Sequence, residues 1–510
     1  MAHRSSAPPY PTRTIRDWIV SPWIYIVLAA VLGLLAAQIV AGQIAARWVK
    51  ALIGLIFVFA LFKLPLYGVV ALFLVAFPFP TYIFLGNTNI IFVLFMLIAW
   101  AIKVRLGKEP APPKTYLDYA AWAYIGVHLI SFLNVDTSSS LTNGILQVEF
   151  LAGAVGLYFL VSKLLRTERQ LKIAFLALAF TSLLVSITGV MEYFLPAVKL
   201  IPDWFIAAGP AGKRFEEGGR VGGIFRAHSL LADFCAILFT LQVYLYLRSR
   251  NRIAKLFFLL LMAASVFQIF LTANRGGFLI WIFAILYLLW LGRGAITLRK
   301  VVIALPLLLA GGVLVEIVTA RYGRIITLFW RLATTQLERG VPETRVHVWR
   351  RVLEEIPQHV WIGHGPFYDL AGGFGHFGRQ WPHSAYLMYL WTTGVLGLAV
   401  FLWILGKTIA KSYPGGKLDL KKISFAHGAM VVAHVQVIQF AMAQIRDEHQ
   451  RGNVYPYLMW ALFALAVAAR RIKEEQERSA AALPGERDGE GPARARDREG
   501  EGMALPSRGP

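Results

Sequence analysis

Eight arginines and no lysine lie between Arg321 and Pro382, although lysine is common elsewhere in the chain. A loop that needed only positive charge would mix the two residues. Arginine alone offers a planar fork that grips phosphate oxygens in pairs. Arg345 stands in this loop, and Arg379 closes it just before Trp381 and Pro382. His383 follows, at the first position of the apolar run HSAYLMYLWTTGVLGLAVFLWIL, with Tyr386 three residues on. A neutral imidazole at such a water–membrane boundary can take a proton from an incoming hydroxyl. The plainer reading is an interfacial histidine that only hydrogen-bonds the helix start. Two further arginines sit at boundaries of apolar runs, Arg275 in LTANRGGFLI and Arg220 in GGRVGGIFRAHSLLADF. A charge so near hydrocarbon is costly, so it is functional or paired. Arg226 and Asp233, seven residues apart, form a structural pair if a helix carries both. The chemistry these residues suit is the grip of a phosphate-bearing group beside a proton acceptor.

The elements that hold them are membrane spans. Of the 510 residues, 57% are hydrophobic and 16% charged, and the mean hydropathy is +0.58. Apolar runs of span length recur from Pro22 almost to Arg470, which defines an all-α polytopic membrane protein. The expected spans are 22–41, 48–64, 66–84, 88–104, 116–134, 146–165, 171–194, 224–246, 254–273, 276–292, 299–319, 383–406, 422–443 and 453–470. Residue 48–64 is the weakest of these, so the count is 12–14. The net charge of +22 reflects loop Lys and Arg rather than nucleic-acid binding, since no nucleic-acid module is present. The single cysteine, Cys235, permits no intrachain disulfide.

With fourteen spans, the basic clusters near 4–16, 103–114, 163–172, 248–255, 293–300, 407–422 and 470–473 all fall on one side. The positive-inside rule makes that side cytoplasmic, so the arginine-rich loop, about 320–382, faces outward from the cytoplasmic (inner) membrane. The division expected is a cytoplasmic segment 1–21, a transmembrane domain 22–470 and a disordered cytoplasmic tail 471–510.

Within the loop, Pro342 suits a helix start, and Val346, Trp349, Leu353 and Ile356 recur at three- and four-residue steps before Pro357. The pattern predicts an amphipathic helix over about 342–356 lying on the membrane surface. GHGPF, from Gly363, reads as a tight turn, and AGGFGHFG at 371–378 as a plain loop or a lid. The outer loops hold scattered carboxylates but no dense set for Mg²⁺, so no metal and no cofactor are expected. Glu149, Glu192 and Glu316 lie near outer span ends and are candidates to line the same cavity. His427, His434, Gln436 and Gln439 on one span make a rival, proton-relaying site, for which interhelical hydrogen bonding is the plainer account.

ETRVHVWRRVLEEIPQHVWIGHGPF followed by WPHSAYLMYLWTTGVLGL resembles the signature region of the O-antigen ligase and polymerase superfamily. The matching residues are Arg345, Trp349, Gly363, Gly365, His383, Gly394 and Gly397, and RVGGIF and ANRGG resemble its other two arginine motifs. The similarity covers about 215–403. Two positions depart from the pattern: His383-Ser384 stands where the family has His-Asn, and His228-Ser229 where it has Pro-Asn. The resemblance implies a GT-C-like glycosyltransferase. Its donor is a glycan on a polyprenyl (undecaprenyl) pyrophosphate carrier, and its acceptor a hydroxyl of a glycan or lipid core outside the membrane, as in lipopolysaccharide synthesis. It implies that Arg220, Arg275 and Arg345 hold the pyrophosphate, that His383 is the base of an inverting, metal-independent transfer, and that Trp349, Arg379 and Tyr386 support them. A polymerase on the same scaffold, or a flippase that binds the same lipid without chemistry, are the alternatives.

Overall fold

The computed structural model describes residues 65–76, 88–194, 221–225, 227–292, 334, 343–367, 382–416, 418–447 and 455–481. Among the described residues there are thirteen α-helices and no strand. In chain order they are α1 (Pro65–Ala76), α2 (Thr88–Arg105), α3 (Asp118–Ile130), α4 (Ser138–Leu164), α5 (Glu168–Phe194), α6 (His228–Arg248) and α7 (Arg252–Leu271). They continue with α8 (Arg275–Leu291), α9 (Glu343–Glu355), α10 (Ala385–Thr392), α11 (Gly394–Ser412), α12 (Phe425–Arg446) and α13 (Tyr455–Ala481). Six of the described helices, α4, α5, α6, α7, α11 and α12, are long and apolar enough to cross a membrane, and α8 is a shorter apolar helix. The helix satisfies every backbone group within its own segment, which is what hydrocarbon demands of such sequences. The protein is an all-α polytopic membrane protein. The expected spans 22–41, 48–64 and 299–319 lie outside the described residues, as does the end of 66–84.

Three boundaries differ from the sequence reading. α4 starts at Ser138 rather than 146, because the Thr137 hydroxyl caps it by accepting from the Ser140 N–H at 3.2 Å. The run 383–406 is not one helix: Gly394, at φ +67°, divides it into α10 and α11. α13 does not stop at 470 but continues to Ala481. Pairs one turn apart, Arg470–Glu474 at 2.6 Å and Lys473–Glu477 at 2.9 Å, carry the helix into the region expected to be an unstructured tail. Residues 482–510 are outside the described set.

α6 and α12 are among the most enclosed of the spans. α6 packs against α7, α8 and α12, and α13 lies against α4 and α12. Polar side chains bind these helices together. Gln242 donates to Ser182 and Ser265 across α5, α6 and α7, each at 2.8 Å. Gln439 donates to the Ala236 carbonyl and accepts from Thr240, both at 2.8 Å, and Gln436 donates to the Ile237 carbonyl. His434 meets the Tyr287 hydroxyl at 2.9 Å and the Ser412 hydroxyl at 3.0 Å. His434, Gln436 and Gln439 of the rival site in α12 therefore serve as interhelical fastening, which hydrocarbon favours because an unmet polar group there has no water.

The two ends of the bundle are separately tied. At one end, Arg248 donates to the Lys421 and Ile423 carbonyls, and Arg470 to that of Lys411. Arg471 donates to the Ser162 and Leu165 carbonyls, and Arg166 to that of Pro110. These bonds gather the clusters at 103–114, 163–172, 248–255, 407–422 and 470–473 on one face, as the span count required. The clusters near 4–16 and 293–300 lie outside the described residues. At the other end, Asn134 donates to the Gly363 carbonyl at 2.7 Å. There too the Gly223 N–H donates to Glu192 at 2.5 Å, so Glu192 fastens the chain before α6.

Candidate active site

The amphipathic segment forms α9, followed by a 3-10 turn from Ile356 to His359. Its inward face is Val348, Val352 and Ile356, packed on Trp391. The expected stripe is thus rotated: Val346 and Leu353 are 42% and 53% exposed. Helical spacing left two apolar stripes open, and contact with Trp391 selects one. The Trp391 indole also donates to Glu355 at 3.1 Å. Burial raises the Glu355 pKa above the usual carboxylate range, against the pull of Trp391 and Arg351.

The GHGPF turn locks α9 to the break between α10 and α11. The His364 and Gly365 N–H groups donate to the Trp391 and Thr392 carbonyls at 3.0 Å each. Val395 and Leu396 donate back to the Val360 and Trp361 carbonyls at 2.8 and 3.2 Å. A Cβ on Gly363 would strike the Thr392 backbone, and one on Gly394 that of Trp361. Both glycines hold positive φ, +68° and +67°. Two glycine motifs thirty residues apart in the sequence are one interlock. His364 is buried inside it, which lowers its pKa, and its Nε2–H donates to the Glu355 carbonyl at 3.1 Å. The 371–378 segment read as a loop or lid lies outside the described residues.

The interlock places α10 and hence His383. Trp349 donates its indole N–H to the Pro382 carbonyl, the group immediately before His383. Tyr386 donates to the Ala441 carbonyl at 2.9 Å and pins α10 to α12. His383 itself has φ +47°, and among the described residues the only other non-glycine at positive φ is Ala273, at +46°. Each stands just before the N-cap of a helix, Ser384 for α10 and Asn274 for α8. Such backbone costs on the order of 1 kcal/mol and persists where the surroundings enforce it. Both turns bring a helix N-terminus, the positive end of its dipole, to the same end of the bundle.

Arg446, the last residue of α12, connects the two turns. Its guanidinium pairs with Asp233, which is fully buried on α6. It also donates to the Asn274 side chain at 2.9 Å and lies 3.5 Å from Asp447. The Asn274 side-chain oxygen accepts from the Gly277 N–H as well. A Cβ on Gly276 would collide with the Arg446 guanidinium, so the glycine pair after Arg275 makes room for this arginine. Asp447 in turn faces His383 Nδ1 at 3.7 Å. Arg275 feels the charges of both Arg345 and Arg446.

Arg446 thus joins the Asn274 turn that precedes Arg275 to His383, through Asp447, and Arg345 is within electrostatic reach of Arg275. Trp349 and Tyr386 position the His383 turn. Arg220, Arg226 and Arg379 lie outside the described residues, and Asp233 pairs with Arg446. Arg446 escaped the sequence reading because IRDEHQR looks like a solvated loop. The signal was its place at the end of an apolar span, the same that marked Arg275. Among the described residues no group of three His, Cys, Asp or Glu side chains is arranged to hold a metal ion.

The described residues thus form a polytopic helical bundle with guanidinium groups and a histidine gathered at one end. Residues 257–402, from α7 into α11, match the family model described as O-antigen ligase. No curated protein matches the chain. The matched stretch is thus similar to proteins of O-antigen ligase type. Arg275, Arg345, Trp349 and His383 fall inside the matched stretch, whereas Asp233, Arg446 and Asp447 do not.

Proposed function

We propose that the protein is a glycosyltransferase that passes a glycan from a polyprenyl pyrophosphate to an acceptor hydroxyl on the outer side of the cytoplasmic membrane. The observation that carries this reading is the convergence of Arg275 and Arg345 with the Arg446–Asp447–His383 chain at the end opposite the basic face. Arg275 and Arg345 grip the pyrophosphate, with Arg220 as the third expected contact. The acceptor oxygen attacks the anomeric carbon as the bond to the pyrophosphate oxygen breaks, and its electron pair leaves with the pyrophosphate. Guanidinium groups fixed in place stabilise the charge that develops there. His383 accepts the hydroxyl proton on Nε2, while Nδ1 faces Asp447, whose charge favours the imidazolium that forms. One displacement inverts the anomeric centre, and no step calls on a metal.

The test is transfer by purified protein in detergent, supplied with polyprenyl-pyrophosphate glycan and a soluble acceptor sugar. Labelled acceptor is expected. Donor binding without any product would overturn the reading and favour a flippase. A polymer of donor units on the carrier would make it a polymerase. The orientation is tested by reporters: one at Gly375 should be extracytoplasmic and one at Leu418 cytoplasmic.

A further inference from the structure

At the basic end, the ends of α11 and α13 and the segment before α3 surround a recess of about 410 Å³. Its walls are fixed. Lys163 holds the segment by donating to the Pro113 carbonyl at 2.6 Å and pairing with Asp118 at 2.5 Å. Arg470 joins α13 to α11 through the Lys411 carbonyl at 2.7 Å, and Arg471 joins α13 to the end of α4. Five cationic residues line the recess, Lys114, Lys411, Arg470, Arg471 and Arg478, against the carboxylates Glu474 and Glu475. The carboxylates are taken by α13's own arginines: Glu474 pairs with Arg470 and Arg478, and Glu475 with Arg471.

That leaves Lys114 and Lys411, whose ammonium groups make no hydrogen bond or ion pair with the described residues. The Tyr116 hydroxyl on the same wall is buried and has no hydrogen-bond partner among the described residues. A buried donor left without a partner costs about 1–3 kcal/mol, so its retention points to a group that fills the recess. Two ammonium groups and a hydroxyl donor call for an oxyanion. On α11, Trp403, Lys407 and Lys411 follow at four-residue steps, with Trp403 43% exposed and Lys407 5.0 Å above its ring. This stripe runs from the apolar side of the bundle to the rim of the recess, the path of an acyl chain below its headgroup.

We propose that the recess binds the phosphate headgroup of an anionic membrane lipid, in the leaflet opposite the transfer site. Lys114 and Lys411 contact the phosphate oxygens, and Tyr116 donates to one of them. The proposal does not depend on the chemistry at His383.

The experiment is native mass spectrometry of the full chain in detergent, with phosphatidylglycerol, phosphatidylcholine or inorganic phosphate added in separate arms. The native protein is expected to retain phosphatidylglycerol in preference to phosphatidylcholine. Lys114→Ala/Lys411→Ala should weaken that retention roughly tenfold to thirtyfold, since each basic residue near a lipid surface contributes about 1 kcal/mol. Lys114→Arg/Lys411→Arg should retain it, and the melting temperature of each variant checks that it is folded. Equal retention by the native and double-alanine proteins would overturn the proposal. So would displacement of phosphatidylglycerol by millimolar inorganic phosphate, which would assign the recess to a soluble anion.

Discussion

The two ends of the bundle use arginine in opposite ways. At the basic end, Arg248, Arg470 and Arg471 point their guanidinium groups at backbone carbonyls. Ser162, Leu165 and Lys411 supply three of those carbonyls, near the C-terminal ends of α4 and α11, where helices leave acceptors unmet. These arginines staple helix to helix. At the other end Arg446 meets side chains, Asp233, Asn274 and Asp447, and lies beside two helix N-termini whose dipoles repel it. Ala273 and His383 hold unfavourable backbone there. One end is arranged for stability. The other gathers guanidinium groups and unfavourable backbone beside helix N-termini.

The largest effect should come from the one group assigned to proton transfer. His383→Ala is expected to lower transfer by roughly 10²–10⁴-fold with donor affinity retained, the usual worth of a general base. Replacing His359 by Ala should cost far less. Full transfer by the His383 variant, or loss traced to failed donor binding, removes His383 from the chemistry and weakens the contrast between the ends.

Next is the ion pair that joins α6 to α12 at the second end. Arg446→Ala removes the ion pair with fully buried Asp233 and should cost about 3–5 kcal/mol of stability, read from unfolding in detergent. The double variant Arg446→Leu/Asp233→Leu should recover much of it. Equal stability of the single variant and the native protein would show that the pair is not what holds α6 to α12.

Arg275→Lys and Arg345→Lys keep the charge but lose the fork, so each should lower transfer roughly tenfold to hundredfold at matched protein levels. Near-native transfer by both would make them structural, like the arginines of the basic end. Arg248→Ala removes two staple bonds and should cost about 1–2 kcal/mol of stability while transfer per folded molecule is unchanged. The smallest effect expected is none: transfer should survive excess EDTA. Loss on chelation that Mg²⁺ restores would mean that cationic side chains do not carry the charge compensation alone.

Much of this was legible in the residues. The span order and the gathering of basic clusters on one face follow from hydropathy and charge, because hydrocarbon leaves few choices of structure. Arg275 and His383 were marked by polar groups standing where burial is costly. What resisted were features set by tertiary contact. The face of α9 that turns inward is chosen by Trp391, far along the chain. Gly363 and Gly394 read separately as a turn and a helix motif, and only their mutual approach explains both. Arg446, a partner of Asp233, lies 213 residues further along the chain, where no local pattern links the two.

That separation bears on how the protein is made. α6 enters the membrane early in synthesis and carries a carboxylate with it, long before α12 has left the ribosome. Until then Asp233 lacks the Arg446 pairing that joins α6 to α12 in the finished protein. A chain truncated before Arg446 never gains the ion pair between α6 and α12. Such a product is a natural substrate for membrane quality control, and the synthesis of α12 is the point at which the nascent chain is released from that risk.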